Sequence, residues 1–203
     1  MIGVVHHTAA LSQGAGRRHL HGRQDAARTI RAARHRTSED EAMEPRINLM
    51  TNKIGAKVGK RIYNVSLAIQ ESSLPKALQQ LVELRASQIN GCGWCVDVHT
   101  KEAAAAGETA VRLNLVAAWR ESTVFTEAER AALALAEEGT RLADAHGGVS
   151  DETWAEVCEH YDEDQVAALV SLVAMINAAN RLGVITRTRG GSYDPGMFAA
   201  LSS

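Results

Sequence analysis

The chain has 203 residues and a formal net charge of −2 at pH 7. This length allows one ordinary domain, or a domain with an appendage, and is sufficient to bury a sizeable core. The near-neutral charge gives no indication of a nucleic-acid or membrane-surface partner, and its three cysteines are too few for the disulfide framework of a small secreted protein.

Residues 1–42 differ in composition from the rest of the chain. They contain seven arginines, no lysine and five of the eight histidines, so their net charge is near +3, whereas that of the remainder is near −5. Three interpretations remain open: a disordered basic tail, an Arg-rich targeting segment, or upstream sequence that precedes a true start at Met43. We favour the third because the composition changes abruptly there. We therefore predict a helical domain over residues 43–189 and a C-terminal tail, loose or docked, over residues 190–203.

Helical signals recur from about Ser73. The stretch SSLPKALQQLVELRASQI, residues 72–89, has Ser73 as a capping residue, Pro75 in the first turn and apolar residues at helical spacing. Asn90-Gly91 then interrupts the helix. Further helices are predicted over residues 92–106, 109–119, 131–146, 152–161 and 166–187.

Capping signals and composition support these helices. Thr126 with Glu129, and Asp162 with Gln165, form capping-box patterns, and Asp151 can cap the helix between them. The last helix is apolar nearly all round, which is typical of a helix at the centre of a domain or at a subunit interface. Its apolar runs stop well short of the ~18 residues of a membrane span. Because no strand-like alternation extends beyond a few residues, we predict an all-α bundle.

The stretch NGCGWCVDVHTKE, residues 90–102, contains the candidate reactive residues Cys92, Cys95 and His99. The break before Cys92 places both cysteines in the first turn of a new helix, where unpaired N–H groups and the positive end of the helix dipole stabilise a thiolate. His99 lies one turn after Cys95 on the same face and can take or return the thiol proton. Two alternatives stay open at this point: half of a zinc site, completed by a lone His146 or His160, and two inert buried thiols.

Four other residues are assigned structural roles. We expect Cys158 to be a small core residue and Trp119 to pack against a helix end. Asn177 and Asn180 lie in the apolar last helix, so their amides should bond neighbouring backbone or cross a subunit interface.

The stretch LRASQINGCGWCVDVHTKEAAAAGE resembles the core motif of the AhpD-like alkyl hydroperoxidases in the carboxymuconolactone decarboxylase superfamily. The resemblance extends from about residue 47 to 186 and includes AAWRES, FTEAERAALALAE and INAANRLGV. It implies an all-helical AhpD-like bundle that assembles as an oligomer. Decarboxylase members characteristically lack the CxxC pair, so the resemblance is to the peroxidase branch.

The resemblance also implies roles for individual residues. Cys95 would be the peroxidatic cysteine, Cys92 the resolving cysteine, and His99 part of a proton relay with a glutamate of the preceding helix. This chain has Gln80 where the glutamate of well-known members lies. Glu83, three residues further on, is either its substitute or a solvated surface charge.

The resulting expectation is a cytoplasmic antioxidant enzyme that reduces hydroperoxides through a Cys95 sulfenic acid and a Cys92–Cys95 disulfide. We expect no bound cofactor or metal, because an external dithiol, such as a lipoyl-bearing protein, would restore the thiols. We also expect a homo-oligomer without nucleic-acid or membrane partners. Alternative functions are a dithiol redox sensor or oligomeric scaffold with little turnover, and a carboxymuconolactone decarboxylase-like enzyme.

Overall fold

The computed structural model describes residues 44–144 and 147–198, and its helical unit begins at Pro45. The hypotheses about residues 1–42, Met43 and His146 lie outside the described residues. Within the described ranges, every regular element is a helix, which confirms the predicted all-α fold. The helices are α1 Lys53–Gln70, α2 Lys76–Asn90, α3 Gly93–Ala105, α4 Ala110–Leu115, a 3-10 helix Val116–Glu121, α5 Glu127–Thr140, α6 Asp151–His160 and α7 Glu163–Thr186.

Helix α2 is the central element of the bundle, because it packs against α3, α5 and α7. Its two apolar faces enter different clusters. Leu78 and Val82, one turn apart, join a cluster built mainly with α5 and α7, whereas Leu81 and Leu84 join a second cluster with α3, the 3-10 helix and α5. A helix buried on two sides holds its polar side chains in fixed surroundings, which matters for Glu83 on the same helix.

The helix boundaries follow the capping chemistry in most places. Both capping boxes, at Thr126 and at Asp162, are present as predicted. Two cap assignments were wrong by one or two residues, since Pro75 rather than Ser73 precedes α2, and Ser150 rather than Asp151 caps α6. Helix α5 also ends at Thr140, six residues before the predicted end.

Two features escaped the sequence analysis. Helix α1 was not predicted, although the Asn52 side chain caps it by accepting from the N–H groups of Ile54 and Gly55. Cys158 was expected in the core but is exposed. On α6 the buried positions are Thr153 and Val157, and Cys158 lies about 100° around the helix from Val157.

Helix α7 is long and apolar enough to cross a membrane by length and composition alone, with a mean hydropathy of 1.6 over 18 residues. It packs against α1, α2 and α5, and Leu169, Leu172 and Ile176 are buried in the bundle. These contacts explain the composition as that of a core helix, one of the two positions expected from the sequence.

A partly buried carboxylate fastens α5 to α2 and to the 3-10 helix. Glu137 accepts hydrogen bonds from the guanidinium groups of Arg85 and Arg120 and from the indole N–H of Trp119, at 3.0 Å for the indole. Burial acts to raise the pKa of Glu137, but the hydrogen bonds from Arg85 and Trp119 outweigh it and lower the pKa below its ordinary value. Trp119 is 3% exposed, so it packs at a helix end as expected.

Replacing Glu137 by Gln should lower the free energy of unfolding by about 2–3 kcal/mol at neutral pH, because two guanidinium groups lose their shared carboxylate. The folded-state pKa of Glu137 is depressed, so its stabilisation is present above the ordinary glutamate pKa of 4.5 and is lost as the pH falls through the folded value. Urea unfolding of both proteins from pH 7 downward measures this difference. The difference in free energy of unfolding between the two proteins should narrow at acidic pH. A difference that does not change with pH would contradict the role assigned to the Glu137 carboxylate. Glu156→Gln, at an exposed position of α6, is the control.

Candidate active site

A tight turn between α2 and α3 positions the cysteine pair. Gly91 ends α2 in the left-handed conformation, with φ of 67°, which glycine adopts without steric cost. The N–H of Cys92 then donates to the carbonyl oxygen of Ser87 at 3.0 Å, which satisfies one of the last carbonyls of α2. Cys92 therefore becomes the N-cap of α3, and the predicted location of both cysteines at a helix start is confirmed.

Cys92 and Cys95 are joined as a disulfide in the first turn of α3. The backbone N–H of Cys95 also donates to Sγ of Cys92 at 3.3 Å. Both residues are buried, at 1% and 5% exposure respectively. The helix start surrounds the sulfurs with N–H groups and the positive end of the helix dipole, so it favours a thiolate after reduction.

The sulfurs lie against Gly183 of α7. A Cβ atom built on Gly183 would lie 2.8 Å from Sγ of Cys92 and 3.8 Å from Sγ of Cys95. Only a glycine therefore allows α7 to approach the pair this closely. The sequence offered no indication of a role for Gly183, because a glycine inside an apolar helix carries no local signal of the group that packs against it.

His99 lies beside both Gln80 and Glu83, the two residues of α2 that were considered for the proton relay. Its Nδ1 lies 3.2 Å from Oε2 of Glu83 and 3.1 Å from Oε1 of Gln80. Glu83 is 4% exposed, so it is a buried partner of the imidazole and not a solvated surface charge. With Glu83 ionised, both neighbouring oxygens are acceptors, an arrangement that favours the tautomer with the proton on Nδ1 and leaves Nε2 as the acceptor.

A network of buried amides holds the turn that precedes the cysteines. The Asn90 side chain donates to Oδ1 of both Asn177 and Asn180 on α7, each at 2.9 Å. Asn180 in turn donates to Oγ of Ser87 at 3.0 Å, and Asn177 donates to Oγ1 of Thr140 at 3.0 Å. The amides thus find partners within the chain, and they tie the end of α2 to the same helix that carries Gly183.

The C-terminal segment docks against α3. The carboxylate of Asp97 accepts from the backbone N–H groups of Gly191 and Tyr193, at 2.6 and 3.0 Å. Trp94, between the two cysteines, meets the ring of Tyr193 edge-on with centroids 5.8 Å apart. Residues 190–198 are therefore docked, one of the two forms expected for the tail, and they lie against the helix that bears the cysteine pair.

No group of three or more His, Cys, Asp or Glu side chains in residues 44–144 and 147–198 is arranged to hold a metal ion. Cys92, Cys95 and His99 thus do not gather with a further donor of these types in the described part of the chain.

Comparisons with known proteins identify relatives of the chain. The sequence model of the carboxymuconolactone decarboxylase family matches residues 57–138. The chain is 37% identical over 123 residues to YdfG, an uncharacterized protein of Bacillus subtilis strain 168, and the match covers 61% of this chain and 82% of YdfG.

Solved structures share the fold. One is a crystal structure of an Agrobacterium tumefaciens protein of unknown function that has been suggested to be the antioxidant defence protein AhpD. It has a TM-score of 0.68 and 32% identity, over 74% of this chain and 100% of that chain. The crystal structure of the apo debrominase Bmp8 has 19% identity and a TM-score of 0.57, and the match covers 70% of this chain and 74% of the Bmp8 chain. At that identity the likeness to Bmp8 concerns the fold alone.

Replacing Gly183 by Ala should force the cysteine pair and α7 apart, because the new methyl group would overlap Sγ of Cys92. We expect the free energy of unfolding of the oxidised protein to fall by about 1–3 kcal/mol, as in other overpacked cores. Chemical unfolding under non-reducing conditions measures this change. Gly59→Ala is the matched control, because a Cβ there meets nothing within 4 Å. Equal stability of the two variants would contradict the close contact.

Proposed function

The chain belongs to the carboxymuconolactone decarboxylase family, and on that premise we propose that it is a thiol-dependent hydroperoxidase acting through Cys95 and Cys92. The observation that carries the proposal is the cysteine pair at the start of α3, with His99 one turn further, where its Nδ1 is hydrogen-bonded to Gln80 and lies 3.2 Å from the buried carboxylate of Glu83. A helix start lowers the cost of forming a thiolate, and a histidine can accept the proton that the thiol loses. These are the requirements of an activated nucleophilic thiol.

Glu83 and Gln80 determine how His99 would act as a base. Because both present oxygens to Nδ1, the neutral ring directs its unprotonated Nε2 away from α2. When Nε2 takes a proton, the ring becomes a cation beside the buried Glu83 carboxylate, and the two charges stabilise one another. Gln80 adds a second acceptor without a charge. The missing family glutamate is thus replaced by a carboxylate one turn away on α2.

The proposed reaction has three balanced steps. The Cys95 thiolate attacks the terminal oxygen of a hydroperoxide, the O–O bond breaks, and a proton from His99 converts the leaving alkoxide into an alcohol, leaving a sulfenic acid. The Cys92 thiol then attacks the Cys95 sulfur, which forms the disulfide and releases water. An external dithiol reduces this disulfide by two exchange reactions and is itself oxidised. No bound organic cofactor takes part.

The partners follow from the same proposal. The reductant would be a small or protein-borne dithiol, and the family resemblance suggests a dihydrolipoyl group. A homo-oligomer is also proposed, because exposed apolar side chains remain on α1 and α7, among them Ile54, Val58, Val170 and Ile185. We place this activity in the cytoplasm, where thiol reductants are available.

A redox sensor with little turnover is the second candidate function. The near-complete burial of both sulfurs favours it, since a sensor needs only one slow oxidation, whereas an enzyme must admit substrate and reductant repeatedly. Multiple-turnover consumption of cumene hydroperoxide with excess dithiothreitol supports the enzyme, whereas a single stoichiometric oxidation supports the sensor.

Cys95→Ser should abolish peroxide consumption, because serine cannot form the sulfenic acid. Cys92→Ser should allow the first step and then stop, leaving a sulfenic acid on Cys95 that dimedone traps. Mass spectrometry of the trapped protein and steady-state peroxide assays measure the two outcomes. Cys158→Ser, at the exposed free cysteine, is the matched control and should retain activity. Full turnover by Cys95→Ser would exclude the mechanism.

Glu83→Gln should reduce peroxide turnover about tenfold to a hundredfold at neutral pH, because the imidazolium loses its buried counter-charge. A second exchange, Gln80→Glu on the Glu83→Gln background, returns a carboxylate to the other oxygen position beside Nδ1 and should recover much of the rate. Rates of thiolate alkylation at Cys95 should follow the same order. A double variant as slow as the single variant would show that Glu83 supports the structure and not the relay.

A further inference from the structure

The chain segment after α7 crosses the start of α3. We define the strap as residues 188–198. Helix α7 ends at Thr186, Arg187 caps it in the left-handed conformation, and the strap then brings Gly190 against the backbone of Gly93. The contact is so close that a Cβ on Gly190 would overlap the carbonyl oxygen of Gly93 and lie 3.1 Å from Cβ of Asp97. Gly93 stands directly between Cys92 and Trp94, so the strap crosses the cysteine pair's own helical turn.

Two charged side chains on α3 fasten the first half of the strap. Asp97 accepts from the N–H groups of Gly191 and Tyr193, and Lys101 donates to the Tyr193 carbonyl at 2.7 Å and to the Gly191 carbonyl at 3.3 Å. Lys101 also pairs with Asp97 at 2.8 Å, one helical turn away. Burial acts to raise the pKa of Asp97, but hydrogen bonds from Lys101, Tyr193 and Gly191 lower it overall, so the carboxylate remains ionised.

Tyr193 anchors the strap in the protein. It is 0% exposed, its hydroxyl donates to Glu102, and its ring contacts Trp94. Glu102 also accepts from the N–H of Gly196 at 2.8 Å, so one carboxylate holds both halves of the strap. Burial and the bond to Glu102 raise the pKa of Tyr193 strongly, which keeps its hydroxyl protonated as the donor.

The sulfurs have little access to solvent. Gly183 of α7 lies against one side of the pair, and the strap contacts the neighbouring Gly93 through Gly190 and Trp94 through Tyr193, while Cys92 is only 1% exposed. A thiolate must approach a disulfide sulfur roughly opposite the sulfur that leaves, and it needs room of its own size to do so. Neither sulfur offers that room in this structure, in which Cys92 is 1% and Cys95 is 5% exposed.

We propose that the strap is a gate, and that its release from Asp97, Lys101 and Glu102 admits the reducing thiol to the Cys92–Cys95 disulfide. The gate rests on the proposed function for its biological use, since it would regulate the last step of the cycle. Its physical basis is separate, because it concerns only whether a thiol can reach the disulfide. The strap is held by three side chains of α3 and by the buried ring of Tyr193, but none of its residues belongs to the two apolar clusters of the bundle, so it can open while those clusters stay packed.

The gate predicts that loosening the strap accelerates reduction of the disulfide. Glu102→Ala removes the acceptor for both the Tyr193 hydroxyl and the Gly196 N–H. We expect the rate of reduction by dithiothreitol, followed by alkylation and mass spectrometry, to rise at least tenfold. Hydrogen–deuterium exchange of a peptide covering residues 188–198 should accelerate by a similar factor, because both processes require the same opening. Glu127→Ala, at an exposed carboxylate on α5 outside the strap, is the control and should change neither rate.

Lys101→Met is a second variant, which removes the bonds to the strap carbonyls but keeps the aliphatic stem, and it carries the test should Glu102→Ala not fold. Faster exchange of the strap without faster reduction of the disulfide would overturn the gate. Unchanged exchange and reduction in the folded variants would overturn it as well. Since no peroxide enters this assay, failure of the hydroperoxidase proposal would appear separately, as absent peroxide turnover alongside a working gate.

Discussion

The close approach of α3 to α7 is the constraint on which the active site depends. Two sulfur atoms fill the space where a side chain of α7 would otherwise lie, so α7 must present Gly183 at that position. The approach also brings Asn177 and Asn180 to Asn90, at the turn before the cysteines. One helix contact therefore fixes the position of the pair and the geometry of the turn that leads into it.

Buried polar groups near the contact between α3 and α7 then determine the surroundings of the candidate site residues. Each buried amide or carboxylate is costly unless it finds a partner, and here the partners are residues of the candidate site or their neighbours. Glu83 would be an unfavourable charge in the core of α2 without His99, and His99 would have no defined orientation without Glu83 and Gln80. This mutual dependence explains how a residue offset by three positions from the family's glutamate can take its place beside the imidazole.

The strap adds a layer that the bundle itself does not need. Its polar contacts are made to Asp97, Lys101 and Glu102 of α3, the helix that also carries the residues proposed for catalysis, and its Phe198 lies beside Tyr63 of α1. Helix α3 therefore both holds the strap and carries the residues proposed for catalysis.

The sequence by itself determined the helical fold, the capping boxes and the location of the cysteine pair at a helix start, because each depends on neighbours within a few positions. It mistook Cys158 for a core residue and overlooked α1, since both depend on which face of a helix meets the rest of the bundle. It could not choose between a relay and a surface charge for Glu83. Only the tertiary structure decided that its carboxylate is buried beside His99, and only it showed Gly183 and the strap against the cysteines. Those contacts join residues far apart along the chain, and no local pattern records them.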